Sequence, residues 1–433
     1  MFERFKHRIG RKRSEHTLDP VTFDPPRRAE VSLDTLLVGS QAGRPLEKWI
    51  AETGEHGRAS LRLADSPYVS FLRMVREKPD RLGDEAFLRS TDYYRMARHC
   101  IDHVGKWFGA KEDTGLLERM RAFGSMLPEL GGDARPELSM LGGDVIQGRT
   151  QRGELIRVFA IRDSRCCELQ DGHHRAALTI LKGASTIEAL VLGEKWTYLQ
   201  RLVLQGIQTR GRKELYQPLD APEFDGEWKL VRRCTDRFTM MERFLRERSL
   251  NGAGRSVLDL ASSYGWFLKA FSGLGFTPYG IERDEIAVNI GRAAYRLPSS
   301  AVRMMSVERF LERNQDRYDV VLFLSILHHF VIGRESTGWF RKRGDTVARE
   351  ILHHVDRACG HVLFFDTGEE HETWMRDKLP GWTPEFIGRW LRENSTFDEV
   401  IPLGIDEDVK TYPGNYARTL FACVRTHPLT MAR

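Results

Sequence analysis

The stretch Arg255-Ser-Val-Leu-Asp-Leu-Ala-Ser-Ser-Tyr-Gly-Trp-Phe267 narrows the possible folds more than any other part of the chain. A short apolar run ends in an acid, Asp259; small residues follow, and a helix-like segment begins. Twenty-three residues after Asp259, a second apolar run, Tyr279-Gly-Ile-Glu282, ends in another acid. Around this pair the hydrophobic period switches repeatedly between that of a strand and that of a helix. From Asp236 onward the expected order is helix, strand near 256–260, helix, strand near 277–282, helix, strand near 302–305, helix, strand near 319–325, helix 344–358 and strand 361–366. Strands that alternate with helices pair in parallel and are covered on both faces, giving a doubly wound α/β sheet.

Ligands of such sheets sit beyond the C-terminal ends of the strands. A dinucleotide would need G-x-G-x-x-G to seat its pyrophosphate. The turn here carries Ala261, Ser263 and Gly265, with one glycine among the three. S-adenosylmethionine has no phosphate, so small non-glycine residues suffice for it. It does need an acid near its charged amino acid end, where Asp259 stands. Glu282 ends the second strand, where a carboxylate accepts hydrogen bonds from ribose hydroxyls.

These residues resemble the first motif of the class I S-adenosylmethionine-dependent methyltransferases, which runs apolar-apolar-acid-x-Gly-x-Gly-x-Gly. Here it is Val257-Leu-Asp259-Leu-Ala261-Ser-Ser263-Tyr-Gly265. The resemblance covers about residues 237–425 and implies a Rossmann-like domain with S-adenosylmethionine as cofactor. It places Glu282 on the ribose. After the third strand the family often has an acidic adenine contact; Ser306 stands in that place, with Val307 and Glu308 beside it. Tyr318-Asp-Val-Val-Leu-Phe-Leu-Ser325-Ile-Leu-His328-His329-Phe resembles the fourth motif. Ser325 then belongs to the cofactor site, and His329, or His328 beside it, is the expected base, since a histidine near its ordinary pKa removes a proton at neutral pH. Asp366 and Glu369 are candidates for substrate contact, and His353 and His354, mid-helix, read as structural. Arg418-Thr-Leu-Phe-Ala-Cys-Val424 resembles the last, antiparallel strand.

The first half carries a second signal, Glu168-Leu-Gln-Asp171-Gly172-His173-His174-Arg175. A strand ends in Asp-Gly, and two histidines and an arginine open a helix, where backbone donors and a guanidinium suit phosphate. Strands are expected at Leu155–Ile161, Cys166–Leu169 and Ile187–Leu192, and a helix at His174–Leu181. Ala29–Leu37 reads as a strand and a turn of helix, and 66–128 as helical. Together these resemble the ParB/sulfiredoxin-like superfamily, whose members bind nucleotide phosphates at Asp-Gly-x-His-Arg. The resemblance implies an α+β domain with a helical insertion at 66–128, and ATP or another nucleotide as a ligand of Asp171, Gly172, His173, His174 and Arg175. Adjacent histidines without a partner at ligand spacing give no metal site.

The expected organisation is a basic flexible arm (1–27), a ParB/sulfiredoxin-like domain (28–205), a Gly/Pro-rich linker (206–235) and a methyltransferase domain (236–433). The net charge of +5 is that of residues 1–13 alone, with six Arg/Lys against one Glu, so the other 420 residues sum to zero. A nucleic-acid-binding body is therefore disfavoured; the arm reads first as a solvated chain end, with an anionic membrane surface or nucleic acid as its alternative contacts. No apolar run reaches transmembrane length, and the six cysteines show no CxxC pair. The chain reads as cytoplasmic, with peripheral contact at the inner membrane surface as a further option, and oligomeric state is unassigned. The expected function is methylation of a small-molecule acceptor, a sugar or phosphorylated glycan precursor being the specific guess. Two alternatives stand beside it: a nucleic-acid or protein methyltransferase with the first domain as recognition module, and a bifunctional kinase-methyltransferase.

Overall fold

The computed structural model describes residues 21–39, 60–127, 155–206, 209, 211–250, 252–332, 344–373, 375–407, 417–427 and 429. The basic residues 1–13 lie outside them. The chain divides into two compact units, residues 1–201 with 221–228, and residues 202–220 with 229–433.

In the first unit, β1 (Val21–Ser32), β2 (Leu36–Leu37), β3 (Ile156–Ile161), β4 (Cys167–Asp171) and β5 (Thr186–Lys195) form one mixed sheet in the order β1-β5-β3-β4-β2. Residues 21–27, expected to belong to the arm, are the first half of β1. Pro25 and Pro26 are accommodated because β1 is an edge strand whose register shifts between Phe23 and Arg27, so their missing N–H groups break no interior ladder. The helical stretch resolves into α1 (Pro67–Glu77), α2 (Glu85–Arg89), α3 (Asp92–Val104) and α4 (Asp113–Gly124). Tyr68, Phe71 and Leu72 of α1 are fully buried with Tyr93, Met96 and Phe123 of the neighbouring helices. The same core takes in Val158 of β3, Leu169 of β4 and Ala176 of α5 (His173–Leu181). α6 (Tyr198–Gln205) follows in the chain.

The second unit begins with β6 (Glu214–Leu215) paired in parallel with β7 (Lys229–Leu230). After α7 (Thr235–Glu247) the expected alternation appears: β8 (Ser256–Leu260), α8 (Trp266–Gly273), β9 (Thr277–Glu282), α9 (Glu285–Tyr295), β10 (Val302–Met304), α10 (Val307–Arg313), β11 (Tyr318–Leu324), α11 (Leu327–Ile332), α12 (Asp345–Ala358) and β12 (Cys359–Asp366). α13 (Pro384–Asn394), β13 (Glu399–Ile405) and β14 (Thr419–Val424) complete it. The sheet order is β10-β9-β8-β11-β12-β14-β13, parallel except for β14, which runs antiparallel to both neighbours. This is a Rossmann-like α/β sheet. Its direction of winding reverses between β8 and β11, where doubly wound sheets open a ligand crevice.

The central strands are largely apolar because both faces are covered, their acids lying at or next to the strand ends. Leu258, Val321, Phe323 and Phe365 pack on one side with Leu352 and Val355 of α12. Val257, Val320, Leu322 and Phe364 pack on the other with Phe244 and Phe271. None of the six cysteines is paired with another. Among the described residues no helix is long and apolar enough to cross a membrane.

Candidate functional site

The chain leaves β8 through a turn with three left-handed residues, Ala261 (φ 64°), Ser263 (φ 54°) and Gly265 (φ 83°). These are the positions at which the resembled motif carries glycine. Two side chains therefore occupy a conformation that glycine adopts without strain, which costs about 1–2 kcal/mol each. The turn is held from several sides. Ser262 N–H donates to Ile281 O at 3.0 Å and Gly265 N–H to Ser262 O at 2.8 Å. Gly291 of α9 lies against Tyr264 O, where a Cβ would come within 2.1 Å. Glu282 closes the turn from β9. Its Oε2 accepts from Ser263 N–H at 2.8 Å, and its Oε1 accepts from Arg283 and Asp284 N–H at 2.7 and 2.8 Å. Burial pushes its carboxyl up, against the pull of those amides.

Asp259 is 3% exposed and faces a cleft above the ends of β8 and β11. Its Oδ2 has no hydrogen-bond partner among the described residues. Burial, then the nearby Glu282 carboxylate, pushes its carboxyl up to about 7, against Arg237. Ala261, Ser263 and Ser325 line the same cleft. Ser325 is also left-handed (φ 60°), and Asp366 Oδ1 fixes it by accepting from its N–H at 2.8 Å and its hydroxyl at 2.9 Å.

Leu324, at the end of β11, lines the cleft as well, and the other lining residues come from segments expected to be linker or ordinary helix: Tyr216, Gln217, Arg232, Arg237 and Phe267. Gln217 clasps the turn, its Oε1 accepting from Trp266 N–H at 3.2 Å and its amide donating to Ser262 O at 3.4 Å. Arg237, near the start of α7, lies over the Phe267 ring and donates to Asp366 Oδ2 at 2.9 Å, with Asp406 at 3.1 Å. Burial opposes its charge, but Asp366 and Asp406 outweigh burial and hold it protonated. Asp366 itself is disfavoured by burial yet kept below the usual carboxylate range by Arg237, Arg418 and Arg232. Arg418 grips Glu372 with two bonds of 2.7 and 2.8 Å. The only sequence sign of this cluster is that Arg232 and Arg237 stand just ahead of the first parallel strand.

Several expected site residues fall elsewhere. Neither His328 nor His329 lines the cleft. His328 is 1% exposed, and its Nδ1 accepts from Gly368 N–H at 3.0 Å, which makes it a brace for the loop after β12. His329 is half-buried on α11, its ring 4.1 Å from that of His328. Ser306 is the N-cap of α10, its hydroxyl accepting from Arg309 N–H at 3.3 Å, while Val307 is buried in the core and Glu308 is half-buried. Gly265 and Glu282 support the turn without lining the cleft. Glu369 accepts from Thr419 N–H at 2.6 Å, a structural bond. His353 and His354 lie in α12.

In the first unit, the Asp171–Arg175 turn is built as expected, but its histidines turn inward. Gly172 is left-handed (φ 94°), and a Cβ there would come within 2.5 Å of Ile156. His173 is fully buried against Tyr68, its Nε2 within 3.2 Å of Gly39 N and 3.1 Å of Gly39 O. His174 Nε2 meets Tyr93 OH at 2.7 Å inside a ring of Phe108 and Phe123. Burial lowers the two pKa values to about 4 and about 3, so both rings are neutral core groups rather than phosphate ligands. Asp171 and Arg175 stay half-buried and face each other at 3.5 Å.

No protein-family model and no curated protein matches the chain. Among solved structures, the chain is similar to the bifunctional kinase-methyltransferase WbdD, with 20% identity and a TM-score of 0.40 over 54% of this chain and 47% of that one. It thus matches less than half the length of WbdD. It is also similar to magnesium protoporphyrin IX methyltransferase (ChlM) from Synechocystis PCC 6803, solved with bound S-adenosylmethionine, at 15% identity and a TM-score of 0.32 over 44% of this chain and 79% of that one. A protein from Listeria monocytogenes described as an S-adenosylmethionine-dependent methyltransferase matches at 16% identity and a TM-score of 0.31, over 44% of this chain and 99% of that one.

Proposed function

We propose that the chain is an S-adenosylmethionine-dependent methyltransferase acting on a small-molecule acceptor. The observation that carries this reading is Asp259. It is a buried acid with an oxygen lacking a hydrogen-bond partner among the described residues, at the end of β8 and at the reversal of the sheet. A buried carboxylate is retained only where something compensates its desolvation, and the amino group of the cofactor's methionyl end is such a partner. The left-handed turn at 261–265 lets the backbone approach a ligand closely, and Glu282, oriented by three amides behind that turn and outside the cleft lining, is the residue for a ribose that extends past the turn toward the end of β9. When bound, the cofactor supplies a methyl group activated on its sulfonium. The chain's own task is then to hold and align. Arg237, Asp366 and Ser325 form a rigid floor, and Gln217 clamps the turn.

The acceptor class follows from charge and local pattern. Outside residues 1–13 the chain sums to zero, which suits a small molecule better than nucleic acid. Ser325-Ile-Leu-His stands where amino-group methylation of bases uses an Asn/Asp-Pro-Pro-aromatic loop. A sugar or glycan precursor is the first acceptor to try within this class. No observation favours a kinase step, because His173 and His174 belong to the core.

Calorimetric titration of the chain with S-adenosylmethionine and S-adenosylhomocysteine tests the reading. One site is expected, and Asp259→Ala or Glu282→Ala should weaken it by at least about tenfold. No heat with either ligand overturns the proposal. Labelled-methyl transfer into fractionated cell extract then separates small-molecule from macromolecular acceptors.

A further inference from the structure

The segment Ala221–Trp228 falls in the expected linker, yet it belongs to the first unit, while the chain on both sides of it belongs to the second. It is fastened from several sides. Pro222, Glu223 and Phe224 form a buried 3-10 turn. Cys166 donates its thiol to Pro222 O at 3.2 Å, and Gln200, fully buried, donates to Glu223 O at 3.2 Å. Gly226 pairs with Ser164, Asp225 meets Arg62 at 2.9 Å, and Trp228 packs edge-on against Phe224. At the centre is the Glu223 carboxyl, 0% exposed. Its Oε1 accepts from the Ser60 hydroxyl at 2.5 Å and the Thr197 hydroxyl at 3.1 Å, and its Oε2 has no hydrogen-bond partner among the described residues. The charged groups carried by the elements packed there are Glu168 of β4, Lys195 of β5, Arg201 of α6, and the Arg62–Asp225 pair. Lys195 is bonded to Glu168 at 2.6 Å, and the charge that acts most strongly on Glu223 is that of Glu168, which repels. An ionised carboxylate held dry with one oxygen bare is far more costly to bury than the neutral acid.

We propose that Ala221–Trp228 is a strap whose seating in the first unit is switched by ionisation of Glu223. With the acid neutral, the 3-10 turn closes over it. When the proton leaves, Oε2 needs water, and the turn must lift to admit it. Burial pushes the seated carboxyl up, against the pull of the Ser60 and Thr197 hydroxyls. Seating is therefore complete in the ordinary carboxylate range and is lost as pH rises through the raised value. The chain enters the strap shortly after Tyr216 and Gln217 and leaves it shortly before Arg232, and these three line the cleft. A lifted strap thus slackens the chain that carries them. The inference does not depend on which reaction the second unit performs.

Amide hydrogen exchange of the full chain, corrected for intrinsic rates, tests this. The reporters are the Phe224 and Asp225 amides, which donate to Ala221 O at 3.2 Å and Pro222 O at 3.1 Å in the seated turn. Their protection should fall by at least about tenfold between about pH 5 and about pH 9, while the amides of α1 in the same unit keep theirs. Glu223→Gln should hold the protection high at both ends of that range. Ser60→Ala withdraws a donor that favours the ionised form, so it should move the fall to higher pH. Wild-type protection that does not change with pH overturns the proposal without any variant. So does a fall shared equally by α1, which would be unfolding of the whole unit, or a fall that persists in Glu223→Gln, which would belong to another group. Should Glu223→Gln not fold, the direction of the Ser60→Ala shift decides, and a shift to lower pH overturns the proposal.

Discussion

Asp259 has a consequence for stability as well as binding. In an unfolded chain its carboxyl titrates near 4, whereas in the fold it is pushed up to about 7. The folded state therefore holds a proton that the unfolded state gives up, and stability falls as pH rises from about 4 to about 7. Above that range the penalty is complete, and below it the penalty vanishes. Asp259→Asn should consequently raise Tm by about 4 °C or more at pH 8 and by little at pH 4, in melts without ligand. A shift that is the same at both pH values would refute this account. Ala261 offers a second single-residue prediction. Its φ of 64° is strained for a side chain, so Ala261→Gly should stabilise the fold by about 0.5–1 kcal/mol in urea titrations, after the entropy cost of glycine. Asp259, Glu282 and the turn positions could be identified in the sequence because a strand, its terminal acid and a tight turn are local patterns. The inward turn of His173, His174 and His328 could not, since it depends on which core lies beside each ring.

The elements show where local pattern suffices and where it fails. The parallel strands β8, β9, β11 and β12 appear close to their expected limits, β8, β11 and β12 because strands covered on both faces read as largely apolar runs, and β9 because its short run ends in an acid ahead of a helix start. β13, Glu-Val-Ile-Pro-Leu-Gly-Ile, was not expected, since a proline and a glycine interrupt it; it persists at the sheet edge with a register shift between Pro402 and Gly404. The loop after β12 owes its shape to two buried devices. Arg418 at the start of β14 grips Glu372, both being at most 2% exposed. Glu372→Gln should cost about 3–5 kcal/mol in denaturant midpoints, because it removes the nearer of the two carboxylates that neutralise a buried guanidinium, leaving Asp366 at 3.7 Å. His328→Ala should cost about 1–3 kcal/mol by stranding the Gly368 N–H. If His328 were instead the base, its loss would spare stability and abolish turnover.

At the level of the whole chain, charge is the plainest property. Residues 1–13 hold the entire +5, so the full chain should cosediment with vesicles containing anionic lipid at low salt, release at about 0.5 M salt, and fail to bind once residues 1–13 are deleted. Binding that survives the deletion would place the contact elsewhere. The α/β class, the order of elements from α7 to β12 and the acids at the strand ends were all carried by hydrophobic period and composition, which act between neighbours in the chain. The floor of the cleft was not. Arg237 and Asp366 are 129 residues apart and Arg418 and Glu372 are 46 apart, and a charged residue reads as solvated surface until its counter-charge is in view. Burial of such a group is affordable only when distant carboxylates close around it, and that is a property of how the strands and helices pack rather than of any segment alone.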